Sequence, residues 1–263
     1  EYIVAHETGH QWWYNIVGNN KYKEIWLDEG INVYWLLEYI KNKYGGQLLE
    51  ALQIAGLDVR FKLVPDSEKS KSMEMASLII RDITHYDKKR RVFIVAFGGG
   101  VIGDLAGFIA AIYKRGIPYI QVPTTLLAQV DSSIGGKTAL DLAQAKNMVG
   151  AFYQPRLVLN DINILKTLSL RQVRSGMAEV IKYAVINGPG FFAYLERNYK
   201  GILALKNKPL EFIVKYCSNI KAKIVSRDER EEKGIRTVLN FGHTMGHAIE
   251  AAAGFKKYNH GEA

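Results

Sequence analysis

The sequence predicts a partial nucleotide-binding α/β domain followed by a helical domain, with a short helical segment in front of both. Three observations indicate this order. An apolar run over residues 91–97 leads into Gly98-Gly99-Gly100, as a buried strand leads into a turn. Helical periodicity dominates from residue 170 onward. All four tryptophans lie within the first 35 residues, whereas glycine-rich turns mark the middle of the chain.

The coarse elements follow from the same patterns. Residues 1–17, 27–44 and 48–54 are predicted to be helical, and Gly45-Gly46 ends the second of these helices. Residues 59–64 and 119–122 are predicted strands, and residues 69–84 and 101–113 are predicted helices. A break at Gly188-Pro189-Gly190 divides the helical region. The predicted domains are therefore residues 1–57, 58–168 and 169–263.

Composition limits the function classes. The chain has 263 residues, a formal net charge of +9 and a single cysteine, Cys217, which excludes an intrachain disulfide and fits a reducing, cytoplasmic compartment. We find no signal peptide and no apolar span long enough to cross a membrane, so no membrane partner is expected. The positive charge suits an anionic small substrate better than a nucleic acid, because no basic run carries interleaved aromatic residues.

The first chemical motif is His6-Glu7-Thr8-Gly9-His10. Histidines four residues apart project from one helix face and can share a zinc ion, while the glutamate between them can accept a proton from the metal-bound water. The alternative is a pair of core histidines. The longer pattern HETGHQWWYNIVGNN…IWLDEG resembles the gluzincin zinc aminopeptidases. That resemblance covers about 50 residues and implies zinc ligands His6, His10 and Glu29, with Glu7 as general base.

Aminopeptidase activity is not expected from this segment. The family also requires an upstream segment that binds the substrate's amino terminus and a downstream tyrosine that stabilises the oxyanion. The first would precede Glu1, and the second would lie beyond about residue 50, where the resemblance has ended. A metal site without peptidase activity is therefore the expectation.

The second motif is a glycine turn, Gly98-x-Gly100-x-x-Gly103, between a strand and a helix. Such a turn lets a pyrophosphate approach the helix N-terminus. It is not the standard dinucleotide fingerprint, because no acidic residue follows at the usual distance of about 20 residues. Gly136-Lys137-Thr138 resembles the end of a P-loop, but Asp131 occupies the position of the required glycine. ATP is therefore not implied.

A third motif places His243 and His247 one helical turn apart without a glutamate between them. A peptidase base is absent there, so this is not a second zinc peptidase motif. A metal bound by the two histidines needs a further anionic or imidazole ligand, for which Glu179 and His260 are candidates. Lys182 lies one turn after Glu179 and is expected to point into the same site.

Seven blocks in order and spacing resemble the 3-dehydroquinate synthase family over residues 58–263, among them FGGGVIGDLAGF, VPTTLLAQVDSSIGGKT, GMAEVIKY and LNFGHTMGHAIEA. The resemblance implies that zinc, or another divalent metal in its place, is bound by Glu179, His243 and His260. It implies NAD binding by Glu68, Lys71, Gly99, Gly100, Asp104, Thr124, Thr125 and Thr167. It implies substrate contacts or catalytic roles for Asp131, Lys137, Lys146, Asn147, Lys182, Lys221, Glu231, Arg236, Asn240 and His247. Glu232 is an alternative to Glu231, because one extra residue separates Glu231 from Arg236.

The implied reaction converts 3-deoxy-D-arabino-heptulosonate 7-phosphate to 3-dehydroquinate and phosphate, a net carbon–oxygen lyase of the shikimate pathway. The resemblance also implies a homodimer, in which Arg115 reaches the neighbouring subunit's site. Against the family pattern, the first strand–helix region and the last helices are missing. The sequence therefore predicts exposed apolar surface, weak stability and little turnover.

Overall fold

The computed structural model describes residues 31–37, 56–65, 67–87, 91–142, 145–254 and 258–263; of residues 31–37 and 91 it describes the backbone. The strands in this part are β1 Ile31–Leu37, β2 Asp58–Lys62, β3 Arg91–Gly98, β4 Tyr119–Pro123, β5 Lys137–Leu142, β6 Ala145–Phe152 and β7 Leu157–Val158. The helices are α1 Met73–Tyr86, α2 Gly100–Ile112, α3 Leu170–Asn187, α4 Pro189–Leu203, α5 Asn207–Arg227 and α6 His243–Ala252.

A parallel sheet organises the first half of the structure. Its strand order is β2-β1-β3-β4-β7, and the strands that pair are parallel. Strands β5 and β6 form a separate antiparallel hairpin. Neighbouring residues of β3 lie on opposite faces of the sheet: Ile94 packs with α1 and α2 on one face, whereas Phe93 and Phe97 pack on the other. Burial on both faces explains why β3 is a continuous apolar run.

The second half is helical, as predicted. Ser169 starts α3 with a capping box in which its side chain accepts from the Gln172 N–H, and Gly188 (φ 100°) separates α3 from α4. The core of this half contains Tyr183, Leu210 and Cys217, all fully buried. Burial raises the pKa of the Cys217 thiol, so it behaves as a packing residue.

The helix predicted over residues 27–44 is wrong for Ile31–Leu37, which form strand β1. This run is rich in β-branched and aromatic residues, and a short apolar run does not distinguish a strand from a buried helix by periodicity alone. Strand β1 pairs with both β2 and β3. Backbone hydrogen bonds therefore cross the boundary predicted near residue 57, and a strand from the first segment lies inside the sheet.

The helices predicted over residues 1–17 and 48–54 lie outside the described residues. So do His6, Glu7, His10 and Glu29, whose roles stay predictions. Among the described residues, no helix is both long and apolar enough to cross a membrane.

The sheet positions the site through its carboxyl edge. Strand β3 ends at Gly98 and β4 ends at Pro123, and the Thr124 N–H donates to the Gly98 carbonyl at 3.0 Å. In parallel sheets, ligands bind at the carboxyl ends of adjacent strands. The chain continues from β4 into a π-helical turn, Ala128–Ser132, which contacts α3 and α5 of the helical half.

Candidate active site

The glycine turn leaves the start of α2 open. Gly99 occupies the N-cap position and supplies no side-chain cap. A Cβ on Gly99 would lie 3.1 Å from Thr125 Cγ2, and one on Gly100 would lie 3.1 Å from Ser132 Oγ. Glycine at both positions lets this backbone lie close to the residues after β4, and the first N–H groups of α2 remain available to an anion.

Lys71 and Asp104 form an ion pair beside this turn. Lys71 Nζ lies 2.5 Å from Asp104 Oδ2, and the Lys71 side chain is 5% exposed. Burial raises the pKa of Asp104 to about 6, with smaller contributions from Glu68 and Asp141, and Lys71 opposes the increase. The structure therefore brings two predicted cofactor residues into contact.

The hairpin contributes Lys146 and Asn147 to the same region. Lys71 also donates to the Asn147 side-chain oxygen, and Lys146 Nζ lies 3.7 Å from Glu68 Oε1. Asn147 has φ 58°, and its N–H donates to Asp141 Oδ1 at 2.8 Å. These two predicted substrate contacts thus lie beside predicted nucleotide residues.

The predicted threonines lie on connecting segments. Thr124 and Thr125 follow β4, and the Thr125 hydroxyl accepts from the Ala128 N–H at 3.2 Å. Thr167 ends a 3-10 turn, Ile164–Thr167, where its hydroxyl donates to the Ile164 carbonyl at 2.7 Å.

Three histidines and one carboxylate converge in the helical half. His243, His247 and His260 each offer a ligand atom, and these atoms lie within 4.8 Å of one another. Glu179 Oε1 lies 3.2 Å from His260 Nε2 and 3.7 Å from His243 Nε2. One carboxylate and imidazole nitrogens are a donor set that zinc and similar divalent metals accept. His247, predicted only as a substrate contact, lies in this cluster too.

The local chain explains this convergence. Glu179 is buried in the middle of α3, and His243 and His247 lie on successive turns of α6. His260 starts a short 3-10 turn, His260–Glu262, that packs against α3. Gly261 permits this contact, because a Cβ there would lie 2.0 Å from the Ser175 carbonyl oxygen.

Charges within the cluster shift its pKa values. Burial raises the pKa of Glu179, but the hydrogen bond to His260 and the charge of Lys182 bring it below its ordinary value. The hydrogen bond to Glu179 raises the pKa of His260, whereas burial lowers the pKa of His243. A carboxylate is therefore ionised among the imidazole rings at neutral pH.

A buried charge network connects this cluster to the π-helical turn. Lys182 forms an ion pair with Glu179 and lies 3.6 Å from Asp131 Oδ1. Lys221 Nζ lies 3.0 Å from the same oxygen, to which the Tyr183 hydroxyl also donates. Burial raises the pKa of Asp131, yet Lys221, Lys182 and Tyr183 together lower it below its ordinary value. Asp131 precedes Ser132, the neighbour of Gly100, so the network reaches the glycine turn.

A second polar group surrounds Glu231. Its Oε1 lies 2.7 Å from Lys137 Nζ and 3.5 Å from Arg236 Nε. Arg236 is 2% exposed and donates to the Glu229 carbonyl at 2.8 Å. The contacts favour Glu231 over Glu232 as the acidic partner of Arg236. Asn240 is exposed at the end of a 3-10 turn, Ile235–Asn240, that leads to α6.

Arg115 lies apart from these groups. It is exposed in a turn where Lys114, Arg115 and Gly116 have φ of 49°, 65° and 126°. Within the part of the chain that the structure describes, no contact joins Arg115 to the histidine cluster. Its predicted role at a neighbouring subunit stays a prediction.

Sequence reasoning did not identify three residues that complete the site. Tyr183 donates to Asp131, Asp141 accepts from Asn147, and Glu250 Oε1 lies 3.6 Å from His260 Nδ1. Helical spacing would have indicated Glu250, which follows His243 by seven residues on one helix face. Tyr183 and Asp141 carried no comparable signal, since their contacts depend on distant segments.

Comparison with known proteins matches these findings. Residues 61–175 match the family model "3-dehydroquinate synthase N-terminal", and residues 176–263 match "3-dehydroquinate synthase C-terminal". Residues 1–96 match the "Peptidase family M1 domain", overlapping the first of these.

Two relatives called 3-dehydroquinate synthase illustrate the similarity. Those of Caldanaerobacter subterraneus subsp. tengcongensis and Desulforamulus reducens are 53% and 50% identical over 220 residues, or 84% of this chain. The chain spans 62% and 61% of the length of these curated relatives.

Solved structures agree in fold. A 2-epi-5-epi-valiolone synthase from Streptomyces hygroscopicus subsp. jinggangensis, with NAD⁺ and Zn²⁺ bound, gives a TM-score of 0.81 at 26% identity, covering 89% of this chain and 65% of its own. A 2-deoxy-scyllo-inosose synthase complexed with carbaglucose-6-phosphate, NAD⁺ and Co²⁺ gives 0.80 at 30% identity, covering 89% and 63%.

Proposed function

Residues 61–263 belong to the 3-dehydroquinate synthase family, and from this membership we propose that the chain carries the catalytic centre of a carbon–oxygen lyase acting on an anionic sugar phosphate. The proposed substrate is 3-deoxy-D-arabino-heptulosonate 7-phosphate, and the products are 3-dehydroquinate and phosphate. A homodimer in the cytoplasm belongs to the same proposal.

One observation carries this proposal. Glu179, His243, His247 and His260 meet in one place, and buried Lys182, Asp131 and Lys221 extend from them toward the glycine turn at α2. A divalent metal beside cationic groups suits a polyol that bears both a carboxylate and a phosphate. No single one of these residues would indicate the reaction.

The residues fit the two proposed cofactors. Glu179, His243 and His260 would hold the metal, which when bound supplies Lewis-acid polarisation of substrate hydroxyls. The start of α2, with Gly99 and Gly100, would hold the pyrophosphate of NAD, because a Cβ at either glycine would enter the narrow space against Thr125 or Ser132. Bound NAD supplies reversible hydride transfer.

The chain's own groups bind and orient the substrate in this proposal. Lys182 and Lys221 present ammonium groups that are held in place by Asp131, so anionic substrate groups meet preorganised donors. Lys137 and Arg236 already bind a carboxylate, that of Glu231, and can bind another anionic group in the same way. Asp131, ionised at neutral pH, accepts hydrogen bonds and fixes both lysines.

The direct test is phosphate release. Purified protein with NAD and Zn²⁺ is incubated with 3-deoxy-D-arabino-heptulosonate 7-phosphate, and phosphate and 3-dehydroquinate are measured. In line with the little turnover predicted above, we expect slow formation of both products in equal amounts. This activity should be lost in His243→Ala and retained in His85→Ala, which removes an exposed histidine of α1. Absence of product, while metal and NAD bind normally, would reject this substrate.

The main alternative is that the chain catalyses the reaction of a different sugar-phosphate cyclase. The two solved synthases described above favour it, since they share the fold at 26% and 30% identity. Glucose 6-phosphate, whose carba analogue is in the second of these complexes, and the heptulosonate phosphate are compared as substrates. A preference of about tenfold or more for glucose 6-phosphate would contradict the proposed substrate.

A zinc aminopeptidase site is the alternative for the first segment, supported by the match of residues 1–96. Metal content of His6→Ala and His243→Ala, measured separately, counts the sites. Two independent sites predict that each variant loses one metal equivalent. Hydrolysis of an aminoacyl p-nitroanilide that His6→Ala abolishes would support the peptidase alternative.

A further inference from the structure

His260 lies between two carboxylates. Its Nε2 is 3.2 Å from Glu179 Oε1, and its Nδ1 is 3.6 Å from Glu250 Oε1. The two ring nitrogens of a neutral histidine have opposite roles, one donating a proton and the other offering a lone pair. A group that holds the proton on Nδ1 therefore leaves Nε2 with a lone pair.

Glu250 is placed for this task by α6. It follows His243 by seven residues, and its side chain is 9% exposed. Burying a carboxylate without a partner is unfavourable. The Glu250 carboxylate contacts His260 Nδ1, so the two groups depend on each other.

The backbone of His260 is held separately. Arg171 donates two hydrogen bonds to Glu262, at 2.8 and 2.7 Å, and Glu262 also accepts from the Asn259 N–H. The Gly261 N–H donates to Ser175 Oγ at 3.2 Å. These contacts fix the turn, which leaves the orientation of the imidazole ring to its own neighbours.

We propose that Glu250 is a positioning residue for His260: when a metal ion takes the place of the proton between Nε2 and Glu179, Glu250 keeps the remaining ring proton on Nδ1 and so leaves the Nε2 lone pair to the metal. This inference rests on the proposed metal site and assigns Glu250 a role within it. At 3.6 Å the contact is longer than an ordinary hydrogen bond, so the carboxylate orients the Nδ1–H dipole by electrostatic attraction. Such partners of metal-binding histidines raise metal affinity by about 10- to 100-fold.

The test is a metal-affinity series. Zn²⁺ binding is measured by competition with a chromophoric chelator for wild type, Glu250→Gln and Glu250→Met. We expect binding about 10- to 100-fold weaker for Glu250→Met, which lacks an acceptor, and a smaller loss for Glu250→Gln, which keeps shape and an acceptor oxygen. Glu196→Gln, at an exposed position of α4, is the matched control and should bind as wild type.

A double-mutant cycle separates positioning from packing. If Glu250 acts through His260, Glu250→Gln should weaken Zn²⁺ binding in wild type but not in the His260→Ala background. An equal loss in both backgrounds would overturn the inference, as would Glu250→Met within twofold of wild type. Should Glu250→Met not fold, the nearly isosteric Glu250→Gln supplies the answer. Wild type that binds no metal would instead reject the proposed metal site, and this inference with it.

Discussion

Lys221 and Asp131 form a buried pair whose two members serve stability as well as the site. Their side chains are 9% and 19% exposed, and their charged atoms lie 3.0 Å apart. Burial lowers the pKa of Lys221 and Asp131 opposes this, so the lysine depends on its partner. We predict that Lys221→Met lowers the free energy of unfolding by about 3 kcal/mol, because Asp131 stays buried with fewer partners.

Urea unfolding at pH 7 measures this difference. Lys223→Met is the matched control, since Lys223 is exposed on the same helix, and it should change stability by less than about 0.5 kcal/mol. Equal effects of the two substitutions would show that the buried pair does not support the fold.

Asp104 makes stability depend on pH. Its pKa of about 6 in the folded protein exceeds the ordinary value of 3.8, so the folded state binds a proton more tightly than the unfolded state. The contribution of the Asp104 carboxyl to the free energy of unfolding is therefore largest below about pH 4, and it is lost as the pH rises to about 6. We predict that, between about pH 4 and pH 6, the free energy of unfolding of wild type falls by on the order of 2 kcal/mol relative to that of Asp104→Asn.

Unfolding free energies at pH 4, 5, 6 and 7 test this prediction. Asp104→Asn has no titrating group at this position, so the difference between the two curves reports the Asp104 carboxyl. Parallel curves for wild type and variant would contradict the assigned pKa.

The turn His260–Glu262 acts as one element, docked on α3 by backbone contact. We predict that Gly261→Ala weakens Zn²⁺ binding by about tenfold or more, because the new Cβ would meet the Ser175 carbonyl oxygen and displace His260. Gly190→Ala is the matched control, since a Cβ at this position of α4 would have no heavy atom within 4 Å. Chelator competition compares the two, and equal affinities would contradict the docking role of Gly261.

Element prediction succeeded where neighbouring residues carry the information. Strand β3 and helix α2 follow from an apolar run that ends in glycines, and the capped helix α3 follows from its periodicity. Strand β1 was predicted as helix because its pairing with β2 and β3 is a tertiary contact. The hairpin β5–β6 was not predicted, since its residues were considered only for a P-loop, which Asp131 excludes, and for substrate contacts.

At the scale of the whole molecule, the two proposed cofactor sites lie in different halves of the fold. A ligand that binds only the folded state raises its stability, by about 2.7 kcal/mol at 100 times the dissociation constant. We predict that NAD and Zn²⁺ each raise the thermal midpoint. His243→Ala should lose only the Zn²⁺ effect, and Lys71→Met only the NAD effect. Differential scanning fluorimetry measures all four combinations, and loss of both effects in either variant would contradict separate sites.

The sequence by itself determined which binding groups are present. These are a glycine turn after a buried strand, histidines one helical turn apart, and a surplus of cations for an anionic substrate. These are local properties, set by residue type and by spacing along one helix or strand. The family resemblance, not any local pattern, predicted that Glu179 meets His260 across 81 positions. Only the tertiary structure decided that Glu250 contacts the other nitrogen of the same ring. Contacts between distant segments depend on how helices pack on one another, and packing is a property of the whole set of buried side chains.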